Sequence, residues 1–483
     1  MARLRDAMRA GRRRVMLAAP TGFGKTLLAA MVVESALQRG KRVIVTVPAI
    51  SLVNQTVAAL EAEGIDAVGV MQGFHERSDI RQPVQVCSIQ TLQRRKIPPA
   101  DVVLIDEAHL WFQFYARWFG DPDWLTVPFI GLSATPWSRG LGKHYEELIQ
   151  VSTTAQLIAG GFLTPFRVFA PDHPDLKGVR TSGGDFNEAD LAGAMNKPSL
   201  VADVVSTWLA RGENRPTLCF GVDRAHAKAI QQQFEACGVP AGYIDAYTKL
   251  EEREEIGRRF HAGDLKIVCN VATLTTGVDW DVRCIILARP TRSRILYVQI
   301  VGRGLRNASS KADLLLLDHS DSTLRLGFVT DIAQDYLDDG KSRGPAEARD
   351  RDQPKPKECP ACKFVKPAKV AACPSCGFKP ARQSKIECED GELIELTDIR
   401  RTGTGRPRML TVDTRRDVYG QLKGYGHAHG YKPGWAKRKF VDLTGIWPDG
   451  VENARPVEPD PALARWIRSQ NIRYAKGRAA HGR

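Results

Sequence analysis

Short apolar runs alternate with longer stretches of helical periodicity along most of the chain. The runs are rich in β-branched residues and end at glycine or polar residues, which is the pattern of buried strands in a parallel sheet. The first series of runs occupies residues 15–18, 41–48, 84–92, 102–105 and 129–136. A second series begins near residue 201 and occupies residues 217–220, 266–271 and 284–288. The pattern predicts an α/β fold with two successive parallel sheets.

Composition divides the 483 residues into predicted domains. The stretch between the two series is rich in glycine, proline and polar residues and predicts a connector. A charged segment containing proline and glycine follows the second series and predicts a linker. The predicted boundaries are 1–153 and 201–338 for the two α/β domains, 154–200 for the connector, 339–357 for the linker, 358–380 for a cysteine-bearing segment and 381–483 for a basic, mostly helical region.

Five aromatic residues recur at helical spacing between two of the predicted strands. This spacing favours an amphipathic helix that packs on the body of the domain over a surface for stacking nucleic-acid bases. The five residues are Trp111, Phe114, Tyr115, Trp118 and Phe119.

A glycine-bearing loop joins the first apolar run to a helix and has the composition of a phosphate-binding loop. Its glycines allow backbone amides to approach phosphate oxygens, and the helix N-terminus adds the positive end of its dipole. Lys25 supplies a charge for the β- and γ-phosphates, and the Thr26 hydroxyl is placed to ligate Mg²⁺. Ala19 stands where the usual pattern has its first glycine, and an ordinary strand-to-helix turn is the alternative. The predicted cofactor-binding residues are Pro20, Thr21, Gly22, Phe23, Gly24, Lys25 and Thr26.

Two acids follow the apolar run at residues 102–105. A buried parallel strand delivers such carboxylates to the ligand-binding edge of its sheet. Asp106 is the predicted outer ligand of Mg²⁺, and Glu107 is the predicted base that orients the attacking water.

Gln299, Arg303 and Arg306 are spaced i, i+4 and i+7. On a helix all three project from one face. A glutamine and two arginines are too polar to pack in a core but are well suited to contact phosphates. The alternative interpretation is a solvated basic helix face.

Together these stretches resemble the superfamily-two nucleic-acid helicases and translocases that carry a DEAH box. The matching segments are APTGFGKT, VPAISLVNQ, SIQTL, DEAH, SATP, NVATLTTGVD and QIVGRGLR, in the family's order over roughly residues 15–320. The resemblance implies two RecA-like domains with ATP in the cleft between them. Arg303 and Arg306 would then be arginine fingers, and Gln299, Gly277 and Asp279 would also belong to the ATP site.

The same resemblance implies where nucleic acid is held. Contacts to the nucleic-acid backbone would come from Pro48, Gln55, Ser88, Gln90, Thr91 and Thr275. Ser133 and Thr135 would couple hydrolysis to movement. Relatives have a glutamine upstream of the phosphate loop that reads adenine. Met1 to Val15 contain no glutamine, so we expect adenine selectivity to be altered.

Four of the ten cysteines form two CPxC knuckles separated by ten residues, namely Cys359, Cys362, Cys373 and Cys376. Four thiolates with this spacing predict a closed, tetrahedral structural Zn²⁺ site. A rubredoxin-like iron site is the alternative. Disulfides are disfavoured because the remaining cysteines are scattered, several of them in apolar stretches, as in a reduced cytosolic protein.

The net charge of +14 is concentrated in the C-terminal part of the chain. Residues 341–483 hold 30 Lys and Arg against 17 Asp and Glu, a surplus of 13. The segment 431–440 interleaves aromatic residues with cations, as does the segment 466–478, a combination suited to strand stacking and phosphate contact. A solvated basic surface is the alternative, and His427 and His429 are predicted surface residues. The composition of this tail loosely resembles phage and prophage helicases.

We therefore predict a cytoplasmic ATP-dependent DNA helicase or translocase of phage or bacterial replication, repair or recombination. Its cofactors would be ATP, Mg²⁺ and Zn²⁺, and its partners single- or double-stranded DNA and other replication or repair proteins. A membrane partner is not expected, because no apolar run approaches the length of a membrane span. The alternatives are an RNA helicase, the motor subunit of a restriction system, and a nucleic-acid-binding protein with a vestigial ATP site.

Overall fold

The computed structural model describes residues 1–171, 173–275, 280–341, 354–380, 412–432 and 434–480, with the backbone alone from residue 471 onward. The chain divides into two compact units, Met1–Arg382 and Gln383–Arg483. Within the described ranges, every helix is too short or too polar to cross a lipid bilayer.

The first sheet has seven parallel strands. They are β1 Arg14–Ala18, β2 Val43–Val47, β3 Val68–Met71, β4 Val84–Ser88, β5 Val102–Ile105, β6 Phe129–Ser133 and β7 Glu147–Gln150. Their order across the sheet is β3-β4-β2-β5-β6-β1-β7. All five residues of β2 are buried, as expected for a central strand covered by helices on both faces.

Helices cover both faces of this sheet. They are α1 Ala2–Arg9, α2 Lys25–Leu37, α3 Ser51–Ala62, α4 Ile89–Leu92 and α5 Gln113–Gly120. The next helix, α6 Thr154–Ala159, packs through Leu157 on the core of the second sheet instead. Four of the five aromatic residues predicted to pack on the body lie in α5, and Trp111 precedes it. Tyr115, Trp118 and Phe119 are at most 3% exposed, which confirms that interpretation.

The second sheet has six parallel strands. They are β8 Phe166–Phe169, β11 Thr217–Phe220, β12 Ala241–Ile244, β13 Ile267–Asn270, β14 Cys284–Leu287 and β15 Leu314–Asp318. Their order is β12-β13-β11-β14-β15-β8. Its helices are α8 Pro198–Arg211, α9 Arg224–Ala236, α10 Leu250–Ala262, α11 Arg294–Gly304 and α12 Ser322–Leu326.

Strand β8 lies inside the stretch 154–200 that we expected to be a connector. It pairs in parallel with β15, with Leu314 opposite Phe166, and so forms the edge of the second sheet. The strand has only four residues and follows Pro165, in a stretch that is otherwise rich in glycine, proline and polar residues. The rest of this stretch includes a short hairpin, β9 Thr181–Ser182 and β10 Asp185–Phe186, followed by α7 Glu188–Met195.

The cysteine-bearing segment forms a two-stranded antiparallel ribbon, β16 Lys357–Glu358 and β17 Val365–Lys366. It packs against the edge strand β8 of the second sheet. The Ala170 amide donates to the Lys363 carbonyl at 3.0 Å, and the rings of Phe364 and Phe169 lie 5.4 Å apart, edge to face. The ribbon is therefore attached to the second α/β domain.

The described part of the second unit is helical. It contains α13 Val412–Ala428, α14 Gly434–Thr444 and α15 Pro461–Ala480. Tyr419, Leu422, Phe440 and Ile467 form its core, each at most 3% exposed.

Candidate nucleotide and nucleic-acid site

The loop between β1 and α2 has the backbone of a phosphate-binding loop. Gly22 and Gly24 have φ values of 85° and 89°, which other residues rarely adopt. A Cβ at Gly22 would also lie 2.5 Å from Leu163 Cδ2, so the Leu163 side chain would have to shift. Lys25 and Thr26 then open α2, where the helix amides and dipole favour an anion. Both glycines are therefore required by geometry.

An ion pair joins this loop to the acids at the end of β5. Lys25 Nζ donates to Glu107 Oε1 at 2.8 Å, and both side chains are less than one-fifth exposed. The backbone of Glu107 is left-handed, with φ 47°, and its amide donates to Asp106 Oδ1 at 2.9 Å. Asp106 and Glu107 therefore have different partners, since Glu107 pairs with Lys25 whereas Asp106 accepts from a backbone amide.

Burial and charge act in opposite directions on the two acids. Burial raises the pKa of Asp106, with the negative charge of Glu107 reinforcing the effect and Lys25 opposing it. Burial would also raise the pKa of Glu107, but the charge of Lys25 and the interaction with His109 hold it below its ordinary value. Glu107 is therefore the acid kept as a carboxylate, while Asp106 gains most from an added cation.

Helix α11 of the second sheet packs directly on the phosphate-binding loop. A Cβ at Gly302 would lie 2.7 Å from Thr21 Cβ, so the close approach of helix and loop depends on a glycine at that position. Phe23 packs against one apolar core cluster of the first sheet and one of the second sheet. The residues predicted from two distant parts of the sequence thus meet at one site.

A chain of polar contacts crosses from α11 to the end of β6. Gln299 Nε2 lies 3.3 Å from His109 Nε2, and His109 Nδ1 lies 2.9 Å from Ser133 Oγ. The Thr135 amide donates to the same hydroxyl at 3.0 Å. With the Gln299 amide donating to Nε2, His109 carries its proton on Nδ1 and donates it to Ser133. His109 is the last residue of the DEAH segment, and the pattern of the sequence alone assigned it no role.

The two arginines differ from the predicted arrangement on one helical face. Helix α11 ends at Gly304, so Arg306 lies beyond it and pairs its backbone with Leu163. Its side chain remains at the loop, with Cγ 3.8 Å from the position of a Cβ on Gly22. Arg303 is 8% exposed and donates through Nε and Nη2 to the Thr275 carbonyl at 2.9 and 2.6 Å. Arg306 therefore lies against the phosphate-binding loop, whereas Arg303 braces the second domain.

Lys311 is a further residue of this region that the sequence did not single out. Its Nζ donates to the carbonyls of Val282, Gly304 and Arg306, at 2.7, 2.5 and 2.8 Å. Burial lowers its pKa to about 8. The ammonium group satisfies carbonyls at and beyond the end of α11 and thereby fixes the backbone of Arg306. An isolated lysine five residues beyond the arginine has no recognisable pattern in sequence.

The predicted nucleic-acid contacts of the first domain gather at the carboxyl ends of β2 and β4, which are neighbouring strands. Gln90 Nε2 donates to the Pro48 carbonyl at 2.6 Å, and Ser88 caps the turn by accepting from the Thr91 amide. Gln55 is exposed on α3. The Thr275 hydroxyl of the second domain bonds to the Ala272 carbonyl, while Gly277 and Asp279 lie outside the described residues.

The four predicted metal ligands converge at the tip of the ribbon. Their sulfur atoms all lie within 4.8 Å of one another, with Cys359 to Cys376 at 3.7 Å and Cys362 to Cys373 at 3.6 Å. Four sulfurs about 2.3 Å from a tetrahedral metal lie about 3.8 Å apart, whereas disulfide sulfurs lie at about 2.05 Å. The geometry fits a shared metal and not two disulfides.

Two family models match this chain. Residues 1–137 match the res subunit of type III restriction enzymes, and residues 197–308 match the helicase conserved C-terminal domain. With two parallel sheets that meet at one glycine-bearing loop, these matches show that the chain is similar to superfamily-two helicases in both domains. This confirms the coarser part of the resemblance seen in the sequence.

Relatives at low identity agree with this class. A 51.5 kDa protein of a Lactococcus phage is 23% identical to this chain. The alignment covers 80% of this chain and 83% of the phage protein. IRC3 of Saccharomyces cerevisiae, named as an ATP-dependent helicase, is 27% identical over 65% of this chain, which spans 49% of the yeast protein. The EcoKI type I restriction endonuclease subunit of Escherichia coli is 26% identical to this chain. The alignment covers 62% of this chain and 32% of the Escherichia coli protein.

A solved structure supports the fold. A fragment of an HsdR subunit of a type I restriction enzyme from Vibrio vulnificus superposes with a TM-score of 0.53 at 19% identity. The match covers 70% of this chain and 65% of the other.

Proposed function

We propose that this protein is a DEAH-box motor that couples ATP hydrolysis to movement along, or unwinding of, DNA. The observation that carries the proposal is the joining of two domains at one loop. Lys25 and Glu107 from the first domain and Arg306 from the second lie around the glycines that would cradle phosphates. A site assembled in this way responds to the relative position of the domains, which is what a motor requires.

The residues present fit ATP and Mg²⁺. The amides of the loop and the N-terminus of α2 would hold the phosphates, with Thr26 and Asp106 on the metal. When ATP binds, the Lys25 ammonium would leave Glu107 and pair with a phosphate instead. The Glu107 carboxylate would then be available to orient water. Arg306 would then neutralise charge in the transition state, a contribution typically worth roughly 10³–10⁵ in rate.

The contacts of His109 would couple ATP hydrolysis to a change in how nucleic acid is held. Gln299 in the second domain and Ser133 in the first both depend on this ring, so a shift of α11 changes the hydrogen bonds at the end of β6. The proposed nucleic-acid contacts at Pro48, Ser88, Gln90 and Thr91 lie at the same edge of the sheet, beyond β2 and β4.

DNA is the proposed track, in phage or bacterial replication, repair or recombination. Support comes from the basic C-terminal region and from the similarity to restriction-enzyme subunits. The similarity to those subunits also favours a second candidate, the motor subunit of a restriction system. The phage relative, which matches over most of both chains, favours a motor of phage origin.

We also propose that the ribbon binds one Zn²⁺ through Cys359, Cys362, Cys373 and Cys376. All four positions are occupied by thiolates, so the site would be structural and closed. Elemental analysis should find one zinc per chain and little iron. Zinc should be absent from a Cys362→Ser, Cys373→Ser variant, whose thermal unfolding should begin at lower temperature because the ribbon packs on β8. Iron at equal occupancy would contradict the assignment.

The deciding experiment measures ATPase rates without nucleic acid and with single-stranded DNA, duplex DNA or RNA. We expect stimulation by DNA, and a loss of roughly 10²–10³ in rate for Lys25→Ala, as for removal of one electrostatic contact to a transition state. Lys41→Ala is the matched control, because this exposed lysine pairs with Asp101 away from the loop. Stimulation by RNA alone would favour an RNA helicase. No turnover in folded protein would favour a binding protein with a vestigial ATP site.

A further inference from the structure

Four aromatic rings in the second unit lie nearly parallel to one another. They belong to Tyr425, His429, Tyr431 and Trp435 and are called the ring cluster here. Ring centroids are 4.0 Å apart for Tyr425 and His429 and 4.7 Å apart for Tyr431 and Trp435. The measured angles between ring planes within the cluster range from 12° to 19°.

Local backbone features build the cluster. Tyr425 and His429 are one helical turn apart on α13, and His429 Nδ1 lies 3.0 Å from the Tyr425 carbonyl, which orients the imidazole. Gly430, with φ 68°, turns the chain so that Tyr431 follows beside them. A Cβ at Gly426 would lie 3.3 Å from Trp435 Cε3, so a glycine lets α14 approach closely.

The parallel arrangement differs from the aromatic packing in the core of the first domain. There, Trp118 and Phe129 meet at 89°, and Phe119 and Tyr145 at 90°. Edge-to-face contacts fill a closed core, because they satisfy the ring quadrupoles without leaving a face exposed. The ring cluster is buried at one end, where Tyr425 is 9% exposed, and open to solvent at the other, with His429 exposed and Tyr431 39% exposed.

The segment of chain that carries the ring cluster is basic. No Asp or Glu occurs in residues 418–441, which include five Lys or Arg. Two of the five are engaged, since Lys423 binds backbone carbonyls and Lys439 pairs with Asp442. Lys432, Lys437 and Arg438 are exposed close to the rings in sequence. Parallel rings beside cations match the bases and phosphates of a nucleic-acid strand.

We propose that the ring cluster is a base-stacking site for single-stranded nucleic acid, with phosphates held by Lys432, Lys437 and Arg438. This inference rests on the proposed function, because it names a grip on the DNA track outside the two motor domains. Stacking on an exposed ring tolerates any base, so the site would hold a strand without reading its sequence. Duplex DNA would be a poor ligand, since its bases are already stacked.

The test compares binding of a 20-residue oligo-dT with binding of an abasic oligomer of the same length, at one salt concentration and without nucleotide. The full chain is used throughout. Tyr431→Ala should weaken oligo-dT binding by roughly 5- to 150-fold, the range for loss of one stacked base, and leave abasic binding unchanged. Tyr431→Phe should restore it. Trp447→Ala is the matched control, because Trp447 is 60% exposed in the same unit outside the cluster.

Each outcome decides for or against the proposal. Equal binding of the two oligomers by the parent protein, or no loss of oligo-dT binding in Tyr431→Ala, would overturn it. An equal loss with Trp447→Ala would also overturn it. An equal loss of oligo-dT and oligo-U binding, with binding of the abasic oligomer unchanged, would support it because the rings contact bases and not sugars. ATPase activity without DNA should be unchanged in all variants, so a failed stacking site is distinguishable from a failed motor.

Discussion

The two halves of the nucleotide site are held in different ways. In the first domain, charged side chains pair with one another, as Lys25 does with Glu107, which also contacts His109. In the second domain, cations bind backbone carbonyls, as Arg303 does with Thr275 and Lys311 with Arg306. An ion pair can exchange partners when a phosphate arrives, whereas a cation on carbonyls fixes the backbone. The first half is thus the responsive one, and the second half presents a rigid surface to it.

Removal of Arg306 should have the largest effect. Arg306→Ala should lower kcat for ATP by roughly 10³–10⁵, because the transition state would lose the positive charge that the second domain brings to the loop. The KM for ATP should change little, since the ground-state phosphates are held by the first domain. Steady-state ATPase kinetics measure both values. A loss of only a few-fold would mean that Arg303 is the finger and would reverse the contrast between the two arginines.

Glu107→Gln should have the next largest effect. We expect a loss of roughly 10²–10⁴ in kcat, because the amide cannot orient and deprotonate water as a carboxylate does. ATP binding should be retained or strengthened, since Lys25 loses the carboxylate that competes with phosphate. Single-turnover hydrolysis and a fluorescent-nucleotide binding assay separate the two. Weaker ATP binding in this variant would contradict the proposed exchange of partners.

Lys311→Met should have an intermediate effect on kcat. It tests whether the second half of the site needs a rigid backbone to hold Arg306 in place. Its carbonyl partners lose a charged donor, so the free energy of unfolding should fall by about 1.5–3 kcal/mol. A shift of Arg306 by about 1 Å should lower kcat roughly 10- to 100-fold with little change in KM. Thermal unfolding and ATPase kinetics report these effects, and Lys249→Met, at an exposed position, is the control. Lower stability with unchanged kcat would show that Lys311 does not position Arg306.

Gln299→Ala should have the smallest effect on hydrolysis itself. Loss of one hydrogen bond to His109 should cost about two- to tenfold in the basal ATPase rate. Stimulation by DNA should fall further, because the contact connects the two domains through His109 to Ser133. The ratio of stimulated to basal rate is the measurement. An unchanged ratio would indicate that coupling bypasses His109.

Motif spacing was sufficient to locate most of this site. The phosphate-binding loop, the acids after β5 and the four cysteines are each short, contiguous patterns whose chemistry is carried by residue type. The helical aromatic stretch at α5 was also interpreted correctly, since its periodicity is a local property. Edge strand β8 was not predicted, because four residues after a proline are too few to show the alternation of a strand. The exact position of Arg306 was missed because α11 ends two residues before it.

Residue order alone therefore determined the α/β class, the two sheets and the chemistry available at their edges, because these follow from local period and side-chain type. Tertiary structure decided which of those groups meet. The contact of Gly302 with Thr21 and the bonds of Lys311 to three carbonyls join segments that are distant in sequence or lack any pattern. The parallel stacking of the ring cluster was decided in the same way, since composition leaves open whether aromatic rings close a core or face solvent. Such contacts depend on chain crossing and close approach, which no local period encodes.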